Sequence, residues 1–367
     1  MDDKGVVSMR KPVMLMVGEF RAGSTERGLV EGFRRLGWAV QEVDRGRYSA
    51  GVSRALLLRI ASRLSMNAVV RAFQQAVLCE CAVLRPDVLL AVKGTDLTGA
   101  MLEQISEAGA RTVMYYPDVA FNHRGVDEAS FRGYDLFATT KSFQVPWLKE
   151  TFPEVGVEHI AHGYVDRMHV PLVPPRGGAH IGHDVLYAGH HSNYKQQWLL
   201  NLLAHSPGLD LAVIGNRWRQ ANPVLTVPPK NFLGERVGLA YAQAIQSAKV
   251  NIALHFGTTN SQWQDLVSTR TFEIPACRGF MLHIDNDEVR EYFEPGKEID
   301  VFSTPEELAD KIQFYLARPE LREKMIERAY ARCVPAYGYV RRAAEIQEAM
   351  IRHGLIDATR FMTEGVT

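Results

Sequence analysis

Residues 184–189, Asp184-Val185-Leu186-Tyr187-Ala188-Gly189, decide the fold. A short apolar run between an aspartate and a glycine has the length of a fully buried strand, and helices need more residues. The polar run His190-His191-Ser192-Asn193-Tyr194-Lys195 follows and leads into a helix. The same design recurs downstream at Leu209–Gly215, Lys249–Leu254 and Gly279–His283, with a helix over Leu239–Ser247. From Pro305 the pattern is helical through Leu308, Ile312, Leu316, Leu321, Met325 and Ala329, and a last helix runs from about Val340 to His353.

Upstream the pattern is similar. Val13-Met14-Leu15-Met16-Val17 ends at Gly18, and Thr25 to Leu36 reads as a helix with Leu29, Phe33 and Leu36 on one face. A strand is expected around Ala39–Val43, a long helix over about Val52–Leu84, and buried strands at Pro86–Val92, Thr112–Tyr116, Leu136–Thr139 and Val157–Ile160. Between the halves lies Pro171-Leu172-Val173-Pro174-Pro175-Arg176-Gly177-Gly178, which continues neither helix nor interior strand. Short apolar runs alternating with amphipathic ones predict an α/β protein with parallel sheets covered by helices. The expected organisation is a first domain over 1–170, a linker over 171–183, a second domain over 184–339 and a helical segment over 340–367. Ligands in such sheets bind beyond the carboxyl ends of the strands, so a cleft between the halves is the expected site.

A chain of 367 residues suits two domains. Its 42 Lys+Arg balance 42 Asp+Glu, which disfavours a polyanion-binding role, so no nucleic-acid partner is expected. With 46% hydrophobic and 23% charged residues, the chain has enough apolar mass to exclude disorder as its main state. Cys79, Cys81, Cys277 and Cys333 form neither a disulfide framework nor a zinc pattern, and read as reduced thiols. The longest apolar runs are strand-sized, so no transmembrane segment is expected, and no signal h-region follows Met1. The expected location is cytoplasmic.

The common nucleotide and hydrolase signatures are missing. There is no G-x-x-x-x-G-K-[ST], no H-E-x-x-H and no G-x-S-x-G, and Gly18, Gly23 and Gly28 do not fit G-x-G-x-x-G. An NAD-dependent oxidoreductase is disfavoured on that ground. His190 and His191 lack further ligands at metal spacing, so no metal site is expected.

Four places carry candidate chemistry. In Gln264–Phe280, QDLVSTRTFEIPACRGF, Asp265 and Glu273 flank Arg270 and are about two turns apart if the stretch is helical. Either they face one pocket, with Glu273 accepting from sugar hydroxyls and Arg270 facing phosphate, or they are the surface charges of a capped helix. Gly189, His191 and Lys195 follow a strand and lead into a helix, which makes an anion cradle or an ordinary loop. Asn216 and Arg217 with Trp218 follow the next strand and could flank a base or phosphates. In the first half, the turn Gly18–Ser24, with Gly23, could approach a second substrate, and Asp118 and His123 lie past a strand end on the same side. Asp118 is a candidate acceptor-side base. His162 ends a later strand near the linker.

Ser268-Thr269-Arg270-Thr271-Phe272-Glu273, followed by Ile274-Pro275-Ala276-Cys277-Arg278-Gly279-Phe280, resembles the hallmark of spore-maturation-protein-like glycosyltransferases, a branch of the group-1 enzymes. Glu291–Ile299, Phe302–Leu308 and Asn231–Ile252 resemble the flanking runs, and the likeness is specific over about Asp184–Arg342. It implies a GT-B fold: two Rossmann-like domains facing across a cleft, donor in the second and acceptor in the first, with the final helix crossing back onto the first. It implies metal-independent transfer from a nucleotide sugar to an unidentified glycan, protein or small-molecule acceptor, with retention by analogy and no cofactor beyond that substrate. Glu273 matches the ribose-binding glutamate of the family, and Asp265 stands as a shortened carboxylate where the family has its other glutamate. His191 or Lys195, with Arg270, match the pyrophosphate binders. The family's His-Thr-Tyr-x-x-Arg appears as Tyr337-Gly338-Tyr339-x-x-Arg342, without the histidine and threonine. Those two departures keep a non-catalytic binding relative in view, and a nucleotide-sugar epimerase shares the architecture.

Overall fold

In a computed structural model of the chain, residues 10–49, 59–172, 182–255 and 263–361 are described. The chain divides into two compact units, one made of Met1–Ala161 with Arg342–Thr367 and the other of His162–Arg341.

The first unit runs β1 (Val13–Gly18), α1 (Thr25–Arg35), β2 (Ala39–Asp44), α2 (Arg45–Ser49), α3 (Arg59–Leu84), β3 (Val88–Val92), α4 (Gly99–Glu107), β4 (Arg111–Tyr116), β5 (Leu136–Thr139), α5 (Gln144–Thr151) and β6 (Gly156–His159). All strands are parallel, in the order β2-β1-β3-β4-β5-β6. β1 and β3 are buried throughout, as their unbroken apolar runs require of inner strands covered on both faces. α1 starts where the sequence supplies a cap: the Ser24 side chain accepts from Arg27 N, and Glu26 sits in the first turn. Phe73, Val77 and Cys81, one turn apart on α3, are buried, while Val83 between their rows is 85% exposed.

The second unit runs β7 (Val185–Ala188), α6 (Asn193–His205), β8 (Leu211–Ile214), β9 (Phe232–Gly234), α7 (Leu239–Ser247), β10 (Val250–Ala253), α8 (Thr269–Ala276), β11 (Met281–Ile284), α9 (Asp287–Tyr292), β12 (Asp300–Phe302), α10 (Pro305–Leu316), α11 (Pro319–Cys333) and the start of α12 (Tyr339–Arg352). Its sheet is also parallel, in the order β12-β11-β10-β7-β8-β9. The core joins Val185, Tyr187, Val213, Ile252 and Leu282 of the strands to Leu199, Leu202, Leu308 and Ile312 of the helices.

The expected linker from 171 overlaps residues 173–181, which lie outside the described residues, as do residues 52–58 of the expected long helix. Pro171 and Leu172 are described, and Leu172 exchanges two hydrogen bonds with Gln246, at 2.8 and 3.0 Å. One point refines the sequence reading and one corrects it. The helical run from Pro305 is two helices, because Pro319 begins α11 after a break at Ala317-Arg318. Asp265 is not on a helix with Glu273: α8 starts only at Thr269, so the two carboxylates are not stacked by helical turns.

Candidate functional site

Each sheet has one place where the strand order reverses. In the second unit, β7 leads to β8 and β9 on one side and is flanked by β10 on the other. The crevice beyond the carboxyl ends of two such strands is where open α/β sheets bind ligands. The residues singled out in the second unit converge there. β7 delivers Gly189, and α6 begins with the Ser192 side chain accepting from Lys195 N. β10 ends next to Leu254, whose carbonyl accepts from Arg270 Nη2 at 3.0 Å. Arg270 Nη1 lies 3.2 Å from where a Gly189 Cβ would stand, and the guanidinium sits 5.9 Å from the Tyr187 ring centroid. Arg270 therefore spans the ends of both strands at the reversal.

The charges around Arg270 are coupled. Lys195, 7% exposed, donates to His190 O at 3.3 Å. Burial first, then repulsion by Arg270, pushes its pKa down to about 7 against the attraction of Asp265, itself a buried residue. Burial acts to lower the Arg270 pKa, but the Tyr187 and Tyr241 hydroxyls, Glu273 and Asp265 together hold it above its ordinary value. A lysine whose pKa falls from 10.5 to about 7 on folding binds fewer protons than it does unfolded between those pH values. Stability therefore rises with pH across that window. Urea unfolding at pH 7, 8.5 and 10 checks this: wild type should gain stability relative to Lys195→Met as pH rises, and parallel curves would refute it.

α8 is held rigidly under the site. Ser268 N donates to Thr271 Oγ1 at 3.2 Å, and that hydroxyl meets His283 Nε2 at 3.0 Å. His283 Nδ1 donates to Ile284 O at 2.6 Å, which makes its Nε2 the acceptor towards His255 Nε2 at 2.8 Å. Burial, ahead of every other cause, pushes the pKa of His283 down to about 4, so it is neutral at physiological pH. Cys333 Sγ on α11 donates to Phe272 O at 3.3 Å. Glu273, three residues after Arg270, faces His169 Nε2 at 3.9 Å.

The loop after β8 is locked to the loop after β7. Trp218 Nε1 donates to Gly189 O at 2.8 Å, Asn216 N to His190 Nδ1 at 3.1 Å, and His191 N to Asn216 O at 3.1 Å. His191 Nε2 meets Gln196 Oε1 at 2.8 Å, and its ring packs edge-on against Trp218. Asn216 and Arg217 are exposed at this edge, and Asn216 Nδ2 donates to Glu235 Oε2 at 3.2 Å.

In the first unit the order reverses between β1 and β3, and a cavity of about 420 Å³ opens there. It is lined by Gly18, Ser24, Lys93, Asp118, His123 and Arg124 among others. Lys93 Nζ lies 2.5 Å from Asp118 Oδ2, and His123 Nε2 lies 3.4 Å from the same oxygen. Burial lowers the pKa of His123, helped by Lys93 and opposed by Asp118. Lys93 and Asp96 are non-glycine residues with positive φ (67° and 63°), on either side of the Gly94-Thr95 turn. Of the expected first-half residues, Gly18, Ser24, Asp118 and His123 come together in this cavity. Gly23 shapes its turn with φ 77°, and His162 lies buried in the second unit instead. The sequence reading missed Lys93, His169, Tyr187 and Tyr241. Lys93 had a signal, a Lys-Gly pair directly after a buried strand. Among the described residues, no group of three or more His, Cys, Asp or Glu side chains is placed to hold a metal ion, and no helix is long and apolar enough to cross a membrane.

This architecture has solved counterparts. Sucrose-phosphate synthase from Thermosynechococcus elongatus superposes with a TM-score of 0.63 at 15% identity, covering 94% of this chain and 99% of that one. HepE of Anabaena, solved in complex with UDP-glucose, gives a TM-score of 0.63 at 15% identity, covering 93% and 99%. The fold is GT-B. Within this GT-B chain, residues 195–348 match a protein family described as glycosyl transferase-like. That span holds Lys195, Asp265, Arg270 and Glu273, and the spore-maturation branch is not singled out by it. A candidate UDP-N-acetylglucosamine 2-epimerase from Listeria monocytogenes shares GT-B with a TM-score of 0.54 at 11% identity, covering 94% and 97%. No curated protein matches the sequence.

Proposed function

We propose that this GT-B protein is a glycosyltransferase that takes a sugar from a nucleoside-diphosphate donor and needs no divalent ion to do so. The observation that carries the reading is the convergence of Arg270, Lys195 and Glu273 on the β7/β10 reversal, inside the segment that is glycosyl transferase-like in sequence. Glu273 accepts from the ribose hydroxyls. Arg270 and Lys195, with the amides opening α6, face the diphosphate. As the bond from the sugar's anomeric carbon to the diphosphate oxygen breaks, negative charge grows on that oxygen, and Arg270, with Lys195 in its protonated form, stabilises it more in the transition state than before. Asp265 takes the sugar side of the site. The sugar's anomeric carbon passes to an acceptor hydroxyl, and in the first unit Asp118, beside Lys93 and His123, is the carboxylate suited to take such a hydroxyl's proton.

Epimerisation is the second reading, since a candidate epimerase shares the fold. The glycosyl transferase-like match over 195–348 favours transfer. Isomerised donor formed without any acceptor would reverse that preference.

The testing experiment is a thermal-shift screen with UDP, GDP, ADP, dTDP and CMP, run with and without EDTA. One of them at about 100 times its Kd should stabilise the protein by about 2.7 kcal/mol, and Glu273→Ala should remove most of the shift. Silence from all five nucleotides would end the reading. A shift that disappears with EDTA would end the metal-free part of it.

A further inference from the structure

Glu273 does not stand alone in the second unit. His169, 4% exposed, accepts from Val165 N at its Nδ1 at 3.0 Å. That bond fixes the tautomer, because Nδ1 has to be the bare nitrogen, so the proton sits on Nε2, the atom that faces Glu273 Oε1 at 3.9 Å. Burial holds the pKa of His169 below its ordinary value despite Glu273 and Asp166, so the ring is a neutral donor and not a counter-ion. Tyr241 on α7 packs its ring edge-on against His169, with centroids 5.4 Å apart. Its hydroxyl is buried beside the Glu273 carboxylate, and after burial Glu273 is the strongest influence raising its pKa. Buried donors find acceptors in folded proteins, and a hydroxyl placed beside a carboxylate is poised to bind it.

We propose that His169 and Tyr241 are positioning residues for Glu273, two neutral donors that fix one side of its carboxylate so that the rest meets a ribose diol. Neutral donors suit the task. A cation at His169 would neutralise the carboxylate and weaken its grip on the hydroxyls, whereas two neutral donors orient it and leave its charge in place. The Glu273 side chain keeps 13% exposure, which leaves it a route to ligand.

The inference rests on the donor-site reading above, and its test separates the two. The probes are the tightest binder among UDP, GDP and ADP and its 2′,3′-dideoxy counterpart, titrated calorimetrically into the full-length protein. Wild type should favour the ribose form by about tenfold or more, the range expected for hydrogen bonds to a charged group. In Tyr241→Phe and His169→Phe the preference should shrink to about threefold or less, with affinity for the dideoxy form unchanged. His169→Gln, which keeps an N–H donor, should retain more of it than His169→Phe. A folded Tyr241→Phe protein with the wild-type preference overturns the proposal, and so does an equal loss for both ligands, which would mark a packing defect. If wild type binds none of the three, or binds ribose and dideoxy forms alike, the donor reading itself fails and takes this one with it.

Discussion

Arg270→Met should cost about 10- to 100-fold in nucleoside-diphosphate affinity and leave nucleoside affinity nearly unchanged. The size follows from losing a charge-assisted contact worth about 1.5–3 kcal/mol, at about 1.4 kcal/mol per factor of ten. The pH dependence makes the test sharper. Arg270 is one of the causes holding Lys195 near 7, so its removal lets the Lys195 pKa rise. Above pH 7 the variant then keeps a protonated lysine where wild type has partly lost its own. The deficit should be largest near pH 6 and narrow by pH 8.5. Calorimetric titration of UDP and uridine at both pH values reads this directly. Equal losses for UDP and uridine would show that Arg270 does not face phosphate.

Gly215→Ala should destabilise the protein by about 3 kcal/mol or more. Gly215 has φ 125°, and a Cβ there would stand 2.3 Å from Gly189 O and 2.6 Å from Gly189 C. The clash is with backbone, at the turn that carries Trp218 Nε1–H to Gly189 O, so no side chain can swing aside. Gly208→Ala is the matched control, with φ 83° and nothing within 4 Å of its Cβ; it should lose only about 1 kcal/mol. Chemical denaturation of both variants gives the comparison. Equal losses would mean that φ alone sets the cost and that the close approach of the two turns contributes nothing.

The fold was legible because its information is local. Asp184–Gly189, Val13–Gly18 and Pro86–Val92 are short apolar runs with a glycine or proline at the edge, and each became an inner strand. The three-residue β12 was not readable as a strand, since so short a run carries no periodicity. Arg270, Lys195 and Glu273, the residues of the proposed donor site, were singled out from motif and position after a strand. Their electrostatics were not, because the pKa of Lys195 depends on Arg270, 75 positions away, and on being buried. His169 and Tyr241 were invisible for a related reason: only the fold brings them to Glu273, His169 from a loop and Tyr241 from α7. Asp265 was given a helical spacing that the chain does not adopt, since helix begins only at the Ser268 cap.

The first unit is assembled from both ends of the described chain. Trp38 Nε1 donates to Gln347 Oε1 at 2.8 Å, and Glu158 meets both Arg352 and His353 at 3.1 Å. The second unit is one uninterrupted stretch, His162–Arg341. On the ribosome, the stretch that emerges later can therefore mature sooner, while the earlier one waits for residues 342–352 to leave the exit tunnel. A released fragment ending at Arg341 should therefore be protease-sensitive over residues 10–161 and resistant over its second unit.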